Sequence, residues 1–176
     1  MIVKVLKIPS KLPKHNLPNH IVKHCNRYKE ERLKQASLFA WIKLSKYIDV
    51  AKVKFSKNGK PYLIDNKKYF SLSHSFNLIA IAIDNKPIGI DIEMLLPSNI
   101  ASMLANRLLS GSKLIAYYKA KDREVWFTKY WTKYEAFCKL KDKPFNFNCF
   151  KHRLNGKFNS KQIKNNGRIF ILTVVS

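Results

Sequence analysis

FSLSHSFNLIAIAIDNKPIGIDIE, residues 70–93, is the stretch from which the fold is read. Leu78 to Asp84 is an almost unbroken apolar run rich in isoleucine, too short for a typical helix, and it predicts a buried strand. Asn85-Lys86-Pro87 supplies turn residues, and Ile88 to Ile92 predicts a second strand. The two are expected to pair as a buried hairpin. Upstream, Ser71, Ser73 and Ser75 alternate around His74, and this segment is expected to have irregular backbone with hydroxyl caps.

Working outward, Ile2 to Ile8 predicts a first strand, and Pro13 and Pro18 mark residues 9–20 as loop. A helix is expected from Ile21 to Ile48, broken near Arg27–Tyr28, with its later apolar residues at helical spacing. Asn58-Gly59 marks a turn. Residues 99–119 predict a helix broken at Gly111, and 122–141 a second one rich in aromatics. Residues 155–167, basic and rich in asparagine, are expected to form an exposed connection. Arg168 to Val175 predicts a last strand that pairs with an earlier one. Short strands mixed with helices, without regular βαβ alternation, give an α+β class.

The 176 residues are 46% hydrophobic, enough for one domain or two small lobes. Lys and Arg number 34 against 11 Asp and Glu, a formal charge of +23, so polyanions are the natural partners. An aromatic share of 12% argues against a disordered basic tail. No apolar run approaches the ~20 residues of a membrane span, and MIVKVLKIPS is too short and too charged for a signal-peptide core. Cys25, Cys138 and Cys149 show no metal-binding spacing and suggest reduced thiols in the cytoplasm.

Asp91 and Glu93 lie two apart on a predicted strand, so both leave the same face. Two carboxylates among isoleucines are costly to bury unless something neutralises them, and a divalent cation with oxygen ligands would. The alternative is a strand end with both acids in solvent. Glu135 and Lys139 share a helix face at i,i+4, which by itself is an ordinary surface pair. His74 beside hydroxyls could bind a phosphate or simply belong to a turn. Lys60, in the NGKP turn, is expected to be exposed.

Taken in order, FSLSHS at 70–75, PIGIDIE at 87–93 and WTKYEAFCK at 131–139 resemble the signature of the Sfp-type (surfactin-synthetase-type) 4'-phosphopantetheinyl transferases. NGKP at 58–61 and RLLS at 107–110 are similar to two further family segments. The resemblance covers residues 55–140 well and the rest loosely. It implies a pseudo-dimer of two small α+β lobes, residues 1–87 and 88–176, with coenzyme A between them. It implies that Asp91, Glu93 and Glu135 hold Mg²⁺, with Mn²⁺ an alternative. It further implies that Glu135, Lys139 and His74 serve the transfer, and that Lys60, Ser73, His74 and Lys139 contact coenzyme A. Arg32 and Lys34 are candidates for its 3'-phosphate. The partner implied is an acidic acyl or peptidyl carrier protein, met by a cytoplasmic monomer without membrane contact.

Three positions depart from the family pattern. Tyr134 stands where it has a lysine, Lys113 where it has a glutamate, and LKDKPF at 140–145 replaces a glycine-containing segment. Two rival readings accompany these. One is a catalytically weakened homologue that binds coenzyme A or a carrier. The other is a basic nucleic-acid-binding module using Tyr117, Tyr118, Trp126 and Tyr130, for which the chain offers no helix-turn-helix, zinc-finger or RNP pattern.

Overall fold

A computed structural model describes residues 1–65, 67–146, 150 and 154–176; Cys149 lies outside them. In chain order the elements are β1 (Ile2–Lys7), α1 (Asn19–Cys25), α2 (Glu31–Leu44), β2 (Val53–Phe55), β3 (Pro61–Leu63), β4 (Tyr69–Ser75) and β5 (Leu78–Asp84). β6 (Gly89–Met94), α3 (Ser98–Leu108), α4 (Gly111–Lys119), α5 (Arg123–Lys141), β7 (Phe158–Asn165) and β8 (Arg168–Val175) follow. The mixed content is the α+β class read from the sequence.

The strands form two three-stranded antiparallel sheets, ordered β1-β5-β4 and β6-β8-β7, and a separate β2-β3 pair. Helix α2 packs on β4 and β5, and α5 packs on β6 and β8. Between α2 and the first sheet lies a core built on Trp41, Leu44, Phe70, Ile79 and Ile81. The opposite faces of the two sheets share a second core, where Ala80 and Ala82 of β5 meet Ile90, Ile92, Phe170 and Leu172. Strand β5 is therefore covered on both faces, which is why it reads as an unbroken apolar run.

Two expectations are corrected here. Strands β5 and β6 do not pair as a hairpin: β6 runs against β8, with Gly89 opposite Val175 and Met94 opposite Phe170. The turn carries the chain from one sheet to the other, and Pro87 has no N–H for a ladder. Residues 155–167 are not simply a connection, because 158–165 form the edge strand β7. Its turn, Asn166-Gly167, has positive φ at both residues, +49° and +73°, the hairpin geometry that Asn-Gly favours. The strand's half-buried residues, Phe158, Ser160, Ile163 and Asn165, follow no single alternation, and its lysines and asparagines suit an exposed edge, so no strand pattern shows in the sequence.

The segment 69–75 is regular strand rather than irregular backbone. Its serines do something a strand seldom needs. No backbone ladder joins β4 to β6. Instead Ser71, Ser73 and Ser75 accept the amides of Ile90, Ile92 and Met94 at 3.1, 3.4 and 2.9 Å. Strand period places the three hydroxyls on one side, spaced to match alternate amides of β6. The two sheets are thus joined at a serine seam.

Candidate active site

Helix α5 begins at Asp122, whose side chain accepts the Val125 amide at 3.0 Å, as a helix N-cap does. It runs for 19 residues and lies on β6, so that Glu135 meets Asp91 and Glu93 across the helix–sheet interface. One oxygen from each of Asp91, Glu93 and Glu135 falls within 4.8 Å of the others. The reading of these three residues as one cluster therefore holds in space. Asp91 is wholly buried in mid-strand, which excludes the solvent-facing strand end.

Every carboxylate is held. Ser73 Oγ donates to Asp91 Oδ1 at 2.8 Å, and Ser75 Oγ donates to Glu93 Oε2 at 2.8 Å. Trp131 Nε1, one turn before Glu135, donates to its Oε1 at 2.9 Å. Lys139 Nζ lies 2.7 Å from Asp91 Oδ1, 2.9 Å from Ser73 Oγ and 3.8 Å from Glu135 Oε2. The seam serines and Trp131 were legible as signature residues, yet their grip on the carboxylates was not. It depends on β4 and β6 lying side by side, which only the tertiary fold decides.

One atom is left over. Asp91 Oδ2 is buried without a hydrogen-bond partner, and such an orphan is costly unless a ligand satisfies it. The electrostatics point the same way. Burial, then the neighbouring Asp91, pushes the Glu93 carboxyl up to about 7. The same two causes push Glu135 up to about 8. Lys139 is disfavoured as a cation by burial, but Asp91 and Glu135 outweigh this and hold its ammonium above the usual range. One lysine does not balance three carboxylates. A small divalent ion fits the deficit: magnesium binds oxygens at about 2.1 Å, so opposite ligands sit about 4.2 Å apart, close to the spread of this cluster.

Glu93, Glu135, Lys139, Ser73 and His74 line a cavity of about 460 Å³. Its far wall is aromatic, from Tyr28, Trp41 and Phe70, and its rim carries Asn58, Lys60 and Lys143. The His74 ring stands edge-on to Tyr28, 5.8 Å between centroids. Burial, and next Lys139, hold His74 below the usual histidine range, so it faces the cavity as a neutral imidazole. Lys60 is partly buried rather than exposed: its Nζ donates to Leu140 O at 2.9 Å, and burial depresses its pKa. Arg32 and Lys34 are not among the cavity residues. Lys34 pairs with Glu31 at 3.4 Å, and Arg32 lies 5.6 Å from the Phe76 ring.

The departures also find places. Lys113 Nζ lies 3.3 Å from the hydroxyl of Tyr134, so these two positions meet. Tyr134 is buried against Tyr130 and Phe150. Of the aromatics invoked for nucleic-acid stacking, Tyr117 is wholly buried and Trp126 and Tyr130 pack on its cluster. Tyr118 is exposed, and Trp126 and Tyr130 are half-buried. Cys25 and Cys138 are buried. No helix among the described residues is long and apolar enough to cross a membrane.

No family model matches the chain. Curated relatives do. It is 34% identical over 93 residues to the 4'-phosphopantetheinyl transferase psf-1 of Bacillus pumilus, covering 51% of this chain and 39% of that one. It is 36% identical over 103 residues to the 4'-phosphopantetheinyl transferase Sfp of Bacillus subtilis, covering 54% and 44%. With the 4'-phosphopantetheinyl transferase HetI of Nostoc sp. it shares 35% over 101 residues, covering 52% and 43%. The matches thus span less than half the length of the curated relatives.

Proposed function

The chain is related to the Sfp-type 4'-phosphopantetheinyl transferases, and from that premise we propose that it moves 4'-phosphopantetheine from coenzyme A to a serine of an apo-carrier protein, releasing 3',5'-ADP. The observation that carries the reading is the Asp91, Glu93 and Glu135 cluster with its orphaned Asp91 Oδ2, facing a cavity rimmed by cations. Asp91, Glu93 and Glu135 would hold Mg²⁺, or Mn²⁺. When bound, the ion supplies positive charge against the pyrophosphate.

The chain's own groups divide the remaining work. Asp91 is fully buried and acts only as an anchor, whereas the Glu135 side chain is 20% exposed and reaches the cavity. Glu135 takes the proton as the carrier serine oxygen forms its bond to the β-phosphorus. The bond from that phosphorus to the bridging oxygen breaks, and 3',5'-ADP leaves with the electron pair. Lys139, fixed on Asp91, and neutral His74 orient phosphate oxygens. Lys60 and Ser73 lie along the coenzyme A path, and Arg32 and Lys34 remain candidates for its 3'-phosphate. No covalent enzyme intermediate is needed; position and electrostatics suffice.

In the same reading the molecule is a monomeric, cytoplasmic pseudo-dimer of lobes 1–87 and 88–176. Support comes from the halves themselves, each of which holds a three-stranded antiparallel sheet with a helix on its outer face. The partner is an acidic acyl or peptidyl carrier, whose charge complements +23. The test is to incubate the protein with coenzyme A, Mg²⁺ and several apo-carriers and to weigh the carriers. A phosphopantetheine adduct on the serine is expected. No added mass on any carrier, with coenzyme A still bound, would leave the weakened homologue as the better account.

A further inference from the structure

Among the described residues three acids line the 460 Å³ cavity: Glu93, Glu135 and Asp142. The first two belong to the carboxylate cluster. Asp142 does not, and an acid in a cavity read as a polyanion site needs another explanation.

Its geometry offers one. Asp142 closes α5 in the left-handed conformation, φ +52° and ψ +46°. Asp and Asn tolerate that region better than most residues, and glycine adopts it freely. From there its carboxylate and carbonyl face the turn between β2 and β3. Ser56 Oγ donates to Asp142 Oδ1 at 2.9 Å, and Asn58 Nδ2 donates to Asp142 O at 2.7 Å. The same Ser56 oxygen accepts the amides of Asn58 and Lys60 at 3.2 and 3.1 Å. Ser56 therefore organises the turn and hands it to Asp142. Lys60 Nζ completes the tie at Leu140 O.

The tie matters at the tip of the turn: Val53, Phe55 and Leu63 seat the hairpin's strands in the core, whereas the hydrogen bonds of residues 56–60 beyond the hairpin go to Leu140 and Asp142. Strands β2 and β3 have three residues each and ladder only with each other among the described strands. A two-stranded hairpin that short has marginal stability of its own. An ammonium has three donors, and Leu140 O takes one of those on Lys60. The others are presented at the cavity rim only while the turn stays against α5.

We propose that Asp142 is a positioning residue: by fastening residues 56–60 to the end of α5 it presents Lys60 to a phosphate of the cavity ligand. The inference rests on the reading of that ligand as coenzyme A, and its test separates the two.

Asp142→Gly keeps the left-handed backbone and the carbonyl that accepts from Asn58, and deletes the carboxylate that accepts from Ser56. Asp142→Asn keeps the backbone, the carbonyl and a side-chain acceptor. In Asp142→Gly, amide exchange at Asn58 and Lys60 is expected to accelerate about tenfold, and the coenzyme A dissociation constant by calorimetry to rise about tenfold, the scale of one charge-assisted hydrogen bond. KM for coenzyme A rises while kcat and Mg²⁺ affinity stay within about twofold of the parent, since the carboxylate cluster is not touched. Asp142→Asn restores parental behaviour. Adding Lys60→Ala to Asp142→Gly causes no further loss, because both changes remove one contact. Unchanged exchange at 56–60, or faster exchange with unchanged affinity, overturns the role of Asp142. A parent protein that does not bind coenzyme A sinks the transferase reading instead.

Discussion

Asp91 has two oxygens with opposite fates: Oδ1 is shared by Ser73 and Lys139, and Oδ2 has no partner. That asymmetry makes Asp91→Asn informative. The amide keeps the shape and can still accept from Ser73, but it removes the charge opposing Lys139 and the site for a cation. Mg²⁺ is expected to raise the melting temperature of the parent protein and to leave that of Asp91→Asn unchanged, with transfer abolished and circular dichroism retained. A variant with near-parental transfer would remove the metal assignment. His24 provides a test of pH dependence. It stacks on Phe55 at 4.0 Å between centroids, and burial, then Arg27, lowers its pKa from 6.5 to about 4. The unfolded chain therefore takes up a proton first as pH falls, and stability drops between about 6.5 and 4. The loss is absent above that window and complete below it. In His24→Phe, which keeps the stack, the fall in melting temperature over this window should be smaller than in the parent.

At the scale of elements, Gly89 sets how closely β6 lies on α5. A Cβ there would stand 2.0 Å from Ala136 O and 2.9 Å from Leu140 N, both helix backbone, so neither can step aside alone. Gly89→Ala must lift α5 and with it Glu135 and Lys139. The expected cost is about 3 kcal/mol or more, at the upper end for an overpacked core. It should appear as a lowered denaturant midpoint together with lost transfer. Most elements were legible in the sequence because their causes are local. The α3–α4 break falls at Gly111, with φ +54°, and the apolar run of 78–84 is a strand buried on both faces. What was not legible is partner choice. Asn85-Lys86-Pro87 announces a turn but not the sheet that the next strand joins, and that decision places Ser73 beside Asp91. Likewise, Asp91, Glu93, Glu135 and Lys139 were singled out by pattern, whereas the contacts of Trp131, Ser75 and Asp142 exist only in the fold.

For the whole molecule the dominant quantity is charge. Only 11 acids oppose 34 bases, and three of those acids are gathered at one internal cluster, so the surface is more basic than the composition suggests. Association with an acidic carrier should be steered. Its rate constant should fall about tenfold or more between 0.05 and 0.5 M salt while the intrinsic transfer step, measured at saturating carrier, changes little. Stopped-flow association across a salt series reads this directly, and a flat profile would argue against an acidic partner.

The serine seam gives the two sheets an unusual relation to substitution. A backbone ladder is indifferent to side chains, so most substitutions leave it standing. Between β4 and β6 every cross-strand bond belongs to a hydroxyl of Ser71, Ser73 or Ser75. The joint is therefore carried by side chains, and replacing Ser73 or Ser75 by alanine deletes two of its five bonds. Two of the three hydroxyls also hold carboxylates, so a change that loosens the joint between the two sheets at Ser73 or Ser75 also disturbs the acidic cluster.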